Sequence, residues 1–131
     1  MQTNEMTGRI IGLAMKVHRA LGPGFLESIY HNALLHELKK ESIAVESQKE
    51  IAVYYDGIVV GNFLADLVFE NQILLELKAV QNLNQTHEVQ TVNYLTATKT
   101  DTGLLINFGG ASLEYKRKFR NNPAGEKAFS L

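Results

Sequence analysis

Two apolar segments that meet at Glu70-Asn71-Gln72, FLADLVF before the break and QILLELKAV across it, constrain this chain more than any other feature. Both read as buried strands, yet the first carries Asp66 and the second carries Glu76 and Lys78. An isolated charge in such a place is costly to bury unless it is paired or ligated. Side chains alternate along a strand, so Glu76 and Lys78 share one face while Leu75, Leu77 and Ala79 take the other. If the break is a three-residue hairpin loop, Phe69 pairs with Ile73, Val68 with Leu74, and Asp66 stands opposite Glu76. Cβ atoms so placed are about 4.5–5.5 Å apart, and two carboxylates that close repel unless a cation lies between them. Leu64 would then face Lys78 at the edge of the same pocket. A two-residue loop would shift the register by one and put the two acids on opposite faces.

Charge assigns the roles in that arrangement. Asp66 and Glu76 suit Mg2+ or Mn2+, hard cations that prefer oxygen, with the Leu77 carbonyl as a third ligand. Lys78 would orient or help deprotonate an attacking water, or steady the charge developing on phosphorus. The chain is thus a candidate metal-dependent phosphodiesterase. The competing structural explanation is a partly exposed strand bearing a Glu76–Lys78 pair, with Asp66 satisfied by backbone amides.

Around this hairpin the pattern predicts α, α, β, β, β, α, β, β, an α/β or α+β layer sandwich with a mixed sheet. Thr7 is the expected N-cap of a first helix whose stripe is Ile10, Leu13, Ala14, Val17 and Leu21, ended by Gly22-Pro23-Gly24. A second helix is expected from about Phe25 to Glu41, with Leu26, Ile29, Ala33, Leu34 and Leu38 inward. Alternation then takes over at Ile51, Val53 and Tyr55, up to an Asp56-Gly57 turn. The strand Ile58–Phe69 passes Gly61, a candidate bulge, and a third strand is expected over Ile73–Val80. Gln81–Thr86 would cap a helix over His87–Thr98, and Gly103–Phe108 and Leu113–Phe119 read as two further strands. The polar tail from Asn121 is expected to fray.

The 131 residues are expected to form a single domain. A net charge of −1 supplies no global positive field, so contact with nucleic acid would depend on local basic patches. The dense basic run is Lys116-Arg117-Lys118 with Arg120; Lys116, Lys118 and Arg120 share a strand face and could track phosphates. Strand-edge lysines that discourage aggregation explain the run as well. Cysteine is absent, which removes disulfides, thiol nucleophiles and zinc–thiolate sites and fits a reducing cytoplasm. No apolar run approaches membrane-spanning length and no signal core is expected, so no membrane partner is anticipated.

Gly24 to Tyr30 reads G-x-x-E-x-x-Y. Together with VHRALGPG, the ADLVFE and LLELKAV block, His87-Glu88-Val89-Gln90 before Tyr94-Leu95, and GLLINFG, it closely resembles the GxxExxY protein family, within the PD-(D/E)xK nuclease-like superfamily. The resemblance runs from about Ile10 to Phe119. It implies a restriction-endonuclease-like αβββαβ core, a mixed sheet flanked by helices, here with an extra N-terminal helix. It also implies that Glu27 is the helical acid, Asp66 the strand aspartate, Glu76 and Lys78 the E-x-K, and Gln90 the glutamine of the following helix. The proline of the superfamily pattern is replaced by Ala65, leaving the carboxylate in place.

Structural alternatives stand beside these assignments. Glu27 in the first helical turn suits the dipole regardless of chemistry. Tyr30 is either a hydroxyl partner for Glu27 or a core-edge aromatic, Gln90 would otherwise lie on a solvated helix face, and His87 is a capping or surface histidine before it is a proton carrier. His18, His31 and His36 show no metal-ligand spacing. The leading expectation is hydrolysis of DNA or RNA phosphodiesters by a water activated with Mg2+ or Mn2+. Its rivals are a catalytically silent nucleic-acid- or protein-binding module, and an interaction subunit whose exposed strand pairs with a partner or with itself as a homodimer.

Overall fold

Asp56 and Gly57 sit at φ +54° and +74°, the left-handed pair that a tight two-residue hairpin requires. They join β1 (Glu46–Tyr55) to β2 (Ile58–Phe69) in a long antiparallel ribbon. In this computed structural model, which describes residues 3–120, β1 begins five residues before Ile51. The polar run Glu46-Ser47-Gln48-Lys49 is strand because it pairs with the buried half of β2, from Ala65 to Val68. The ribbon's irregularity falls between Val53 and Tyr54 on β1 and leaves Val60, beside Gly61, as the extra residue.

The Glu70-Asn71-Gln72 turn closes as a three-residue loop, with Glu70 and Asn71 left-handed and the Gln72 amide donating to the Phe69 carbonyl at 2.8 Å. The register into β3 (Ile73–Lys78) is the expected one: Phe69 with Ile73, Val68 with Leu74, Leu67 with Leu75. Pairing stops there, so Leu64 and Lys78 are not ladder partners. Helix α3 (Gln85–Thr98) carries the chain to β4 (Thr102–Asn107), parallel to β3, and β5 (Glu114–Phe119) returns antiparallel. The sheet order is β1-β2-β3-β4-β5, a mixed α+β arrangement.

Helices α1 (Thr3–Leu21) and α2 (Glu27–Lys40) build the larger core, with Ile10, Ala14, Leu34 and Leu38 packed in one cluster with Leu75, Leu77, Leu104 and Ile106. Leu74 alternates to the other face, where it meets Ala65, Val68 and Leu95 of α3. Three expectations are corrected. Thr7 is not an N-cap: it lies buried within α1, its hydroxyl donating to the Asn4 carbonyl at 3.0 Å. Helix α2 starts at Glu27, not Phe25, because Gly24 is at φ +108° and Leu26 is extended. Leu26 and Ile29 are exposed, and Tyr30 and His31 point inward with Leu34 and Leu38. The tail from Asn121 lies outside the described residues, among which no helix is long and apolar enough to cross a membrane.

Candidate functional site

Where the β2–β3 ladder ends, Asp66 takes over from backbone pairing. Its Oδ2 accepts the Leu77 amide at 2.7 Å. The backbone-amide explanation for Asp66 therefore holds, and the bond also parts the two strands. A strand residue's N–H and C=O point to the same edge, so the Leu77 carbonyl faces this gap, away from β4. Across from Asp66 on the other side, Gln48 is held at φ +54° between the Ser47–Leu67 and Lys49–Ala65 pairs. A left-handed non-glycine residue inside a strand costs of order 1–3 kcal/mol and tends to mark a site the surroundings over-determine.

Glu76 is buried, 6% exposed, and its Oε1 has no hydrogen-bond partner. No ion pair joins it to Lys78. Burial first, then Asp66 and Glu27, push its carboxyl up to about 8, against a pull from Lys78. Burial also raises Asp66, opposed by the Leu77 amide, His31 and Lys78. Glu27 is solvent-accessible, yet desolvation and Asp66 hold it above the ordinary carboxylate range, with Lys78 and His31 opposing. The structure thus brings Glu27, Asp66, Glu76 and Lys78 into one electrostatic cluster, drawn from α2, β2 and β3.

A cleft of about 490 Å3 opens onto Asp66 and is lined by Glu27, Ser28, His31, Asn32, Ser47 and Gln48. His31 is one turn after Glu27 and buried there, its Nε2 3.1 Å from the Asp66 carbonyl and 3.2 Å from Ser47 Oγ. Reading the sequence for metal-ligand spacing misses it; the usable signal was its i, i+4 relation to Glu27. Tyr94 was missed too. Its ring stacks on Phe63 with centroids 3.8 Å apart, and burial, then Glu76 and Asp66, raise its hydroxyl above the usual tyrosine value.

Of the other expected members, most are engaged elsewhere. Gln90 is exposed on α3, one turn before Tyr94, and no hydrogen bond joins it to the four charged groups. Tyr30 is a core residue and not a partner of Glu27. Its hydroxyl donates to the Gly22 carbonyl at 2.5 Å and accepts the Phe25 amide at 3.1 Å, and its ring stacks on Phe108 at 4.7 Å. It therefore fixes the loop from which Glu27 emerges. His87 is a capping residue: its Nδ1 accepts the Asn84 amide, and its own amide donates to Asn84 Oδ1. Lys118 pairs with Glu88 at 3.0 Å and Arg120 with Asp101 at 2.9 Å, so carboxylates already neutralise two of the three expected phosphate contacts; Lys116 is exposed.

The oxygen-rich gap fits a hard divalent cation through Asp66, Glu76 and the Leu77 carbonyl, because Glu76 Oε1 is an orphaned buried acceptor. Among the described residues no three His, Cys, Asp or Glu side chains are gathered closely enough to hold an ion by themselves. Two carboxylates and a backbone oxygen are what the site offers.

Residues 4–118 match the model of the PD-(D/E)XK nuclease superfamily. Among solved structures, the crystal structure of SSO0001 is similar, with a TM-score of 0.57 and 18% identity over 76% of this chain. The chain spans about half of that protein, 53% of its length. No curated protein matches the sequence.

Proposed function

This chain belongs to the PD-(D/E)XK nuclease superfamily, and from that premise we propose that it hydrolyses nucleic-acid phosphodiesters with the help of Mg2+ or Mn2+. Within the superfamily the G-x-x-E-x-x-Y segment supports assignment to the GxxExxY proteins. The observation that carries the reading is Glu76: a desolvated carboxyl group with an unpartnered oxygen, beside Asp66, is costly to ionise without a cation and suited to one.

In this reading Asp66, Glu76 and the Leu77 carbonyl hold the metal, which when bound supplies Lewis acidity toward the scissile phosphate and its attacking water. The Leu77 amide bond to Asp66 Oδ2 would hold that carboxylate's orientation toward a bound cation. Lys78 positions the water or offsets charge developing on phosphate oxygens. Glu27, at the mouth of the cleft, would take a proton from that water, a role supported by its being held above the ordinary carboxylate range and facing solvent. Gln90 would act only on a bound strand lying along α3.

Titrating Mn2+ calorimetrically into the wild-type protein, Asp66→Ala and Glu76→Ala tests this directly. The expected result is one site in the wild type, lost in both variants, with cleavage of DNA or RNA oligonucleotides lost alongside it. Cleavage retained in the purified variants sinks the assigned roles. The pairing of Lys118 and Arg120 with acids favours a second reading, a silent module that keeps the fold; it predicts oligonucleotide or protein binding indifferent to divalent cations.

A further inference from the structure

The ribbon of β1 and β2 carries apolar surface that nothing in the fold covers. Tyr54, Tyr55, Ile58, Val59, Val60 and Leu64 are between 48% and 72% exposed. β1 is also the outer strand of the sheet, so one row of its backbone N–H and C=O groups meets no strand. Edges are normally blunted by charge, proline or a bulge. From Ile51 to Tyr55 this one has neither charge nor proline, and the ribbon's extra residue is on β2.

We propose that the occupant of this edge is a second copy of the chain, β1 pairing antiparallel with β1 across a two-fold axis. Pairing would cover the outer backbone row of β1 with its Tyr54 and Tyr55, about 200–350 Å2 of aromatic surface per copy at roughly 150–250 Å2 per ring. That is an interface at the small end of the range. Ile58, Val59, Val60 and Leu64 lie one strand further in, on β2. Charge argues against nucleic acid here, because one lysine, Lys49, stands among three carboxylates, Glu46, Glu50 and Asp56.

Geometry selects the register. The left-handed Gln48 ends the regular stretch of β1, leaving Lys49 to Tyr55, whose midpoint is Ala52. Pairing Ala52 with itself puts Tyr55 of one copy opposite Lys49 of the other, on the same face as Ile51. There the structure has a cleft of about 140 Å3 lined by Lys49, Ile51, Val68 and Leu74. Tyr55 would enter it as a knob, twice per dimer. No like charges face each other in this register.

Size-exclusion chromatography with light scattering on the full chain should give about twice the 14.6 kDa monomer mass. Tyr55→Lys, at a position 72% exposed, should weaken dimerisation at least tenfold while leaving the circular dichroism spectrum of the folded chain unchanged. Because the chain has no cysteine, Ala52→Cys supplies a single thiol. Oxidation should link that variant into a covalent dimer, since Cα atoms facing across antiparallel strands, about 4.5–5.5 Å apart, are within disulfide range; Lys39→Cys, exposed on α2, should stay monomeric under the same oxidation. A wild-type monomer at all concentrations overturns the proposal, as does a Tyr55→Lys dimer of undiminished strength. A dimer that Ala52→Cys fails to link overturns edge pairing. A monomer whose oligonucleotide affinity falls in Tyr55→Lys assigns the arm to nucleic acid instead.

Discussion

Glu76 holds its proton well above the ordinary value of 4.5, up to about 8, and this couples the site to folding. Between those two values the folded protein binds a proton that the unfolded chain has released, so the contribution of Glu76 to metal-free stability is fully present below 4.5 and is lost as pH rises toward 8. At about 1.4 kcal/mol per pH unit the loss amounts to a few kcal/mol. Urea denaturation of metal-free protein from pH 5 to 8 should show this decline, and Glu76→Gln should flatten it; a slope unchanged in the variant would place the titration elsewhere. Loading a cation must displace the same proton, so Mn2+ affinity should rise over that range. The two acids and Lys78 were readable because charge interrupted otherwise apolar strands. His31 and Tyr94 were not, because His31 meets its partners across 16 and 35 residues and Tyr94 stacks on Phe63 from a different element.

Among the elements, the β2–β3 register was legible as far as the Leu67–Leu75 pair, since turn length and side-chain alternation together fix it. The end of the ladder there was not, because the Leu77 amide turns to the Asp66 side chain. Nor was the inward face of α2. Tyr30 reaches back to Gly22 and Phe25 and onto Phe108, and this tertiary anchoring turns Leu26 and Ile29 outward against the apolar pattern. The exit of β3 is fixed in a comparable way. Asn107, fully buried, accepts the Val80 and Gly109 amides on Oδ1, and its Nδ2 donates to the Val80 carbonyl and to Glu114. Asn107→Ala would leave half-buried backbone groups of Val80 without partners, so equilibrium denaturation should show a loss of about 1–3 kcal/mol. Gly109 packs so closely that an added Cβ would lie 2.2 Å from the Val80 carbonyl oxygen, whereas nothing approaches one at Gly12 within α1. Gly109→Ala should therefore destabilise by several kcal/mol, and Gly12→Ala should gain roughly 0.5–1 kcal/mol from its helical backbone.

Over the whole molecule, a net charge of −1 and a basic run half tied to acids, Lys118 to Glu88 and Arg120 to Asp101, limit the positive surface open to a phosphate backbone. Lys118 reaches Glu88 of α3, which also feels Lys116 and is held below the usual carboxylate range, chiefly by its bond to Lys118. Β5 is thereby braced against α3, a structural use for residues that the sequence alone offered equally to phosphate. Binding of an oligonucleotide would then release few counterions. Each neutralised phosphate contributes about −0.9 to the slope of log affinity against log salt on duplex DNA, so one or two contacts predict a slope no steeper than about −2. Fluorescence anisotropy with a short duplex between 50 and 200 mM salt, at fixed Mn2+, should show roughly a tenfold loss or less. A slope of about −3 to −4 would mean that Lys118 and Arg120 leave Glu88 and Asp101 for phosphates when a strand arrives, adding two contacts at about −0.9 each. In that case Glu88→Gln, which releases Lys118 in advance, should tighten binding, and the ion pairs would be a latch on the nucleic-acid surface rather than part of the frame.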